Sequence, residues 1–177
     1  MAYAIVGYFD SISDEKIKEL WRGLADIGVD DYLINSSNNP HIKFAMFESL
    51  DIETAQKELH LLSEKIRKIN IHFKKYGIYP NDNPFITIDI AENIEIIKLH
   101  KEIQKIFDKF VNNHSEKYFV PGVWKPDCQL TASFDKSKLG AAVNYLSETS
   151  LPFNGQLEKI GVIEFYPAKQ LFSYELL

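Results

Sequence analysis

Residues 38–47 read NNPHIKFAMF, a loop-forming run of asparagines and a proline that turns at His41 into a string of β-formers. Side chains two apart on a pleated strand project from the same face, about 6–7 Å from one another. His41 and Lys43 therefore share a face with Ala45 and Phe47. A second stretch, KPDCQLTASF at 125–134, is an imperfect copy. There Asp127, Gln129, Thr131 and Ser133 fall on one face and Leu130, Ala132 and Phe134 on the other, the alternation of a strand with one wet and one packed side.

The likeness extends outward from both stretches. PHIKFAMF, a helix and YGIYPNDNPFITIDI are echoed by PDCQLTASF, a helix and GVIEFYPAKQLFSYEL. Pro40 and Pro126 lead the copies 86 positions apart, and the turn prolines Pro80 and Pro167 are 87 apart. The spacing predicts a duplicated chain whose two motif strands lie side by side and face a shared groove.

Between these landmarks the pattern predicts a strand at 2–9 and a helix capped by Ser13, with Ile17, Leu20, Trp21 and Leu24 on one face and Gly28 as its stop. Residues 31–35, DYLIN, read as a short strand. A long amphipathic helix carries Ile52, Ala55, Leu59, Leu62 and Ile66. Another runs from Asn93 to Asn112 with Ile96, Leu99, Ile103, Ile106 and Phe110 inward, and a strand follows at 127–134. A helix with Leu139, Ala142, Val143 and Leu146 precedes two closing strands split by PAKQ. The expected fold is α+β: one bilobal domain over 1–177, two pseudo-symmetric lobes of antiparallel strands, helices outside and a groove between.

The chain has 177 residues and a formal net charge of −5. That balance opposes a protein coating long duplex nucleic acid, but it leaves room for a local basic pocket. Cys128 is the only cysteine, so no intramolecular disulfide forms, and a reducing cytoplasm is expected. No run approaches the roughly 18 apolar residues of a spanning helix. We expect a monomer that does not meet a membrane.

Proton-transfer groups placed in two copies suit phosphodiester chemistry, where one removes a proton from the attacking oxygen and the other protonates the leaving oxygen. Histidine suits both roles because its ordinary pKa, about 6.5, lets either form exist near neutrality. The residue two further along is placed to donate hydrogen bonds to phosphate oxygens. On these residues the chain resembles the 2H phosphoesterase superfamily, which includes the bacterial 2′-5′ RNA ligases and the RNA 2′,3′-cyclic phosphodiesterases. PHIKF matches the Pro-His-x-Thr-hydrophobic motif at Pro40, His41 and Phe44, and WKPDCQL matches at Trp124, Pro126 and Leu130.

The resemblance implies His41 and Asp127 as the catalytic pair, and Lys43, Gln129 and Thr131 as phosphate contacts. Lys43 stands where the first Thr is expected, Asp127 where the second His is, and Gln129 where the second Thr is. An ammonium and an amide still offer donors to phosphate. Asp127 is the costly change, since a free carboxyl with pKa about 3.9 is an anion at neutral pH. One reading makes Asp127 the base and protonated His41 the acid; burial that raises the carboxyl instead restores an acid role. The implied activity is metal-independent opening of a 2′,3′-cyclic phosphate or 2′-5′ phosphodiester chemistry on a nucleotide or RNA end, with no cofactor. The alternatives are a non-catalytic relative binding the same ligands, and a scaffold whose groove serves only protein contacts.

The bland readings stay beside these. His41 is also an ordinary strand histidine, Lys43 a solvated lysine, Asp127 a strand-end cap and Thr131 a common strand residue. His60, His72, His100 and His114 read as structural or surface groups, and no pair has metal-site spacing. Tyr118 and Lys125, in the stretch KYFVPGVWKP, and Tyr79 and Tyr166, before the turn prolines, are candidates for the groove rim; Trp124 reads as core.

Overall fold

Alternation sets the strands. In β1 (Ala2–Phe9), Ile5 and Phe9 enter one apolar cluster while Ala4 and Val6 enter another, so the strand buries both faces. A computed structural model gives the fold of residues 2–108, 117–165 and 167–177, with Lys117 described in its backbone only. Phe110, Asn112, His114 and Tyr166 lie outside the described residues. The other strands are β2 (His41–Phe47), β3 (Ile69–Tyr79), β4 (Phe85–Ile90), β5 (Asp127–Gln129), β6 (Phe153–Phe165) and β7 (Lys169–Glu175). Five helices accompany them: α1 (Ser11–Asp26), α2 (Tyr32–Asn35), α3 (Ile52–Ser63), α4 (Ile94–Phe107) and α5 (Leu139–Ser147).

The strands form one antiparallel sheet in the order β1-β2-β5-β4-β3-β6-β7, with β1 also paired to β6. The ladders from β1 through β2, β5, β4, β3 and β6 thus return to β1 and close a circuit. That circuit maps onto itself when β1, α1, β2, α3 and β3 are exchanged for β4, α4, β5, α5 and β6. It crosses the exchange at Ile42 opposite Cys128 and at Ile71 opposite Gly155. The two motif strands are neighbours, as the 86-residue offset predicts. The hairpin correspondence needs correction: β4 is matched by β1 rather than by β7, which is an addition on the edge of β6.

One sheet face carries the helices. Ile17, Leu20, Trp21 and Leu24 of α1, Leu59 and Leu62 of α3, Ile96, Leu99, Ile103 and Phe107 of α4 and Leu146 of α5 join one cluster with Ile42, Phe44, Phe73, Ile86, Ile88 and Leu157 of the strands. The opposite face holds only a small cluster, Ala4, Val6 and Ile163 with Tyr8, Met46 and Phe165 around it. Polar residues are free to occupy the remainder of that face.

Local chemistry corrects three sequence expectations. The cap of α1 is Asp10, not Ser13: its carboxylate accepts from Ile12 N (3.1 Å), Ser13 N (2.9 Å) and Ser13 Oγ (2.7 Å). Gly28, at φ 71°, then ends the helix as its N–H reaches Ala25 O while Val29 N reaches Leu24 O, the paired bonds of a Schellman motif. Residues 31–35 are the helical turn α2, because the Asp30 carboxylate takes Tyr32 N (3.1 Å) and Asn35 N closes on Asp31 O. The strand expected to 134 stops at Gln129, where Leu130 N and Thr131 N both turn to Ile86 O and Ala132 N to the Asp30 carboxylate.

Asp10 also accepts Gln156 N at 2.6 Å, joining the start of α1 to β6. Burial pushes its carboxyl up, but the hydrogen bonds from Gln156, Ser13 and Ile12 outweigh it and hold the group below its ordinary value. Its stabilisation is therefore present above the usual carboxylate range and is lost as pH falls through the lowered value. Asp10→Ala is expected to cost about 2 kcal/mol, measured as a shift in the urea midpoint at neutral pH.

Candidate functional site

The site is built on the sheet face turned away from the helices. Ile42, Phe44, Cys128, Ile86 and Ile88 enter the helix-side core. Alternation then puts His41, Lys43, Asp127, Gln129, Thr87 and Asp89 on the other face. Register fixes their neighbours: Thr87 is opposite Gln129 and Asp89 opposite Asp127. Ile42 opposite Cys128 sets Lys43 across from Asp127 and His41 across from Gln129. His41 and Asp127 are thus diagonal neighbours, a relation that spans about 7–8 Å in an antiparallel pair.

A cleft of about 240 Å³ opens over this floor, lined by Lys43, Met46, Tyr79, Phe85, Thr87, Tyr118, Phe119, Asp127 and Gln129. Lys43 Nζ donates to Gln129 Oε1 at 3.1 Å, tying the two motif strands together through side chains, and Gln129 Nε2 donates to Ala132 O at 3.4 Å. Tyr118 Oη donates to Asp127 Oδ2 at 3.3 Å. Tyr79 stacks on Phe85 with centroids 4.2 Å apart and makes an aromatic wall. Gly77 faces the same floor: a Cβ there would stand 2.5 Å from Asp89 Oδ1 and 2.7 Å from Thr87 Oγ1, so the close approach requires glycine.

Burial acts on the two candidate proton carriers in opposite directions. Desolvation pushes the Asp127 carboxyl up to about 6, against the pull of the Lys43 ammonium and the Tyr118 hydroxyl, while Asp89 adds to the rise. His41 is held down at about 4 by desolvation, opposed by its bond to Asn39 and reinforced by Lys43. Burial therefore shifts both groups toward their neutral forms, fully for His41 near neutrality and for Asp127 only in mildly acidic solution. His41 Nδ1 lies 2.7 Å from Asn39 O, which makes Nδ1 the protonated nitrogen and leaves Nε2 as the acceptor.

Two indoles brace the motif strands from behind. The β1–β2 register shifts at Phe44, which has no partner position on β1. Trp124 Nε1 donates to Lys43 O at 2.9 Å, and Gln104 Nε2 to Phe44 O at 2.9 Å. On the other motif, Trp21 Nε1 donates to Gln129 O at 3.1 Å. The carbonyls of Lys43 and Gln129, residues at equivalent positions in the two motifs, are each held by a tryptophan.

The cleft brings together Lys43, Gln129, Asp127, Tyr79 and Tyr118 from the sequence-derived set. Three others sit elsewhere. Thr131 is fully buried and its hydroxyl accepts Ile86 N at 2.8 Å, because β5 ends before the alternation reaches it. Lys125 is ion-paired with Glu92 and borders the adjacent depression, which shares Tyr79 and Asp127 with the cleft. His41 is 8% exposed, set edge-on to Tyr8, and is not among the residues lining the cleft. Sequence reasoning missed Thr87 and Asp89, whose signal is the polar alternation in FITIDI. Cys128 is buried in the core with its thiol pushed up by desolvation, which removes it from nucleophilic chemistry. Among the described residues no three His, Cys, Asp or Glu side chains converge as a metal site, and no helix is long and apolar enough to cross a membrane.

No family model and no curated protein matches the chain. Solved structures do. TT0787 of Thermus thermophilus superposes with a TM-score of 0.66 at 13% identity, over 99% of this chain and 98% of that one. LigT of E. coli, crystallised with 3′-AMP, gives 0.62 at 12% identity, over 98% and 97%. The chain shares the α+β fold of these proteins. Usb1 of Kluyveromyces marxianus shares it with a TM-score of 0.52 at 11% identity over 99% and 98% of the two chains. Coverage of nearly every residue on both sides means that the shared fold extends over the whole chain.

Proposed function

We propose that the cleft binds a nucleotide or RNA end through its phosphate and opens 2′,3′-cyclic phosphates, with 2′-5′ phosphodiesters as the related substrate class. The observation that supports this most is the meeting of Lys43, Asp127 and Gln129, from both motif strands, in one cleft beside an aromatic wall. LigT has been crystallised with 3′-AMP, ATP, NADP+ and phosphate, which agrees with a nucleotide ligand.

The expected roles of the acid and base are exchanged by burial. The sequence reading that made Asp127 the base and protonated His41 the acid does not suit an imidazole held at about 4 and a carboxyl raised to about 6. In our reading neutral His41 accepts the proton of the attacking water through Nε2 as the new O–P bond forms. Lys43 neutralises charge on the non-bridging oxygens. Protonated Asp127 gives its proton to the departing 2′ or 3′ sugar oxygen as the old P–O bond breaks.

A second reading, ligand binding without turnover, is favoured by the burial of His41 and its absence from the cleft lining. Incubation with nucleoside 2′,3′-cyclic phosphates in the presence of a chelator separates the two. His41→Gln is expected to lower turnover about 10²- to 10⁴-fold. Equal background-level turnover in both proteins, with calorimetric binding retained, would establish the binder instead.

A further inference from the structure

We propose that this cleft selects ligands by charge state, accepting phosphodiester monoanions and rejecting phosphomonoester dianions, with Asp127 as the discriminating residue. The inference rests on the phosphate-binding reading above and adds to it a rule for which phosphates enter.

Charges of both signs face the cleft. Among the described residues lining it, Lys43 is the cation and Asp127 the carboxylate. On β4, Asp89 stands opposite Asp127, and its carboxylate takes the Thr87 hydroxyl at 3.3 Å and the Lys75 ammonium of β3 at 3.5 Å. Lys125, two residues before Asp127, is turned to Glu92. Tyr79 and Tyr118 bring phenol rings to the lining, and desolvation and Asp127 both push Tyr118 further from ionisation. A phosphate entering here meets one ammonium and, beside it, a carboxylate backed by another.

A diester carries a single negative charge throughout the range near neutrality. A monoester gains its second charge around pH 6. That extra charge finds no second cation among the described lining residues and is set against Asp127. A histidine at this position, as the 2H motif has it, offers a proton and a positive charge; aspartate offers the proton only. The substitution therefore keeps a proton carrier while reversing the charge of its other form. Ring opening converts a diester into a monoester, so in neutral and alkaline solution the same repulsion disfavours rebinding of the product. Below the ionisation range of Asp127 and of the monoester both repulsive charges are gone, so the preference is a property of neutral and alkaline solution.

Equilibrium dialysis tests this with adenosine 2′,3′-cyclic phosphate, 2′-AMP and 3′-AMP at about pH 5 and about pH 8, on either side of the monoester ionisation. The nucleotides in each chamber are separated and quantified, so that turnover is corrected. The cyclic monoanion is expected to bind about tenfold more tightly than either monoester at the higher pH, the size of one like-charge contact in a partly solvated cleft. The preference shrinks at the lower pH. In Asp127→Asn, whose amide preserves shape, the monoesters gain affinity and the preference flattens at both pH values. Equal affinities in the wild type at the higher pH, or a preference surviving in Asp127→Asn, would overturn the inference while leaving phosphate binding intact. Failure of all three nucleotides to bind the folded wild type would overturn the underlying reading as well.

Discussion

Asp127→Asn is expected to lower the opening of a 2′,3′-cyclic phosphate about 10²- to 10⁴-fold, because the amide fills the same space but has no proton to give the leaving oxygen. The wild-type pH profile carries the sharper signature. Activity in this scheme needs His41 unprotonated, which holds above about 4, and Asp127 protonated, which holds below about 6. kcat/KM should therefore rise and fall across that interval, with an acidic optimum. In Asp127→Asn the alkaline limb disappears and the residual rate is flat above the His41 value. Asp127→His moves the alkaline limb toward the imidazole range and raises the rate at neutral pH. Initial rates across pH, with circular dichroism to verify folding, read all three outcomes. An alkaline limb that persists unchanged in Asp127→Asn would remove Asp127 as the acid.

Trp124→Ala is expected to cost about 3–5 kcal/mol, the usual penalty for deleting a buried indole. The ring is 4% exposed, stacks on His100 at 4.1 Å between centroids and lies 5.5 Å from Phe44. His100 is itself buried and bonded to Phe119 O at 2.8 Å, so the loss spreads from the core to the turn that carries Tyr118. The truncation also strips the indole donor from Lys43 O, beside the β-bulge of the first motif strand. For a chain of this size the melting temperature should fall on the order of 10 °C. Trp124→Phe keeps most of the volume and loses the N–H, so its cost, about 1–3 kcal/mol, reports mainly the lost indole hydrogen bond. If the indole braces the site as well as the core, Trp124→Phe also weakens nucleotide binding; unchanged affinity would confine its role to stability.

The fold was legible where burial imposes a period. Ile17, Leu20, Trp21 and Leu24, or Ile96, Leu99 and Ile103, can only be one face of a helix packed on a sheet. The pairing of the motif strands was legible through a different route, the 86-residue offset, because an exchange that maps a sheet onto itself must bring equivalent strands together. Where single side chains decide backbone course, period says nothing. Asp30 takes both Tyr32 N at the start of α2 and Ala132 N beyond the end of β5, and no reading of DYLIN or CQLTASF contains that contact. The site was legible in part. Lys43, Asp127 and Gln129 share a face because alternation holds over the short paired region, and Thr131 leaves it because that region ends. The depth at which His41 lies depends on Tyr8, its partner across the β1–β2 ladder, and on its bond to Asn39 in the loop before it.

That circuit also dictates an order of events during synthesis. β1 is made first, yet its longest partnership is with β6, along Ala2–Phe9 and Leu157–Phe165. At a translation rate of about 5–20 residues per second, the opening strand waits roughly 10–30 seconds for that partner. Until then the edge of β1 not taken by β2 presents unpaired backbone N–H and C=O groups, a template for pairing with another chain, so the closing of the circuit also removes an aggregation-prone edge.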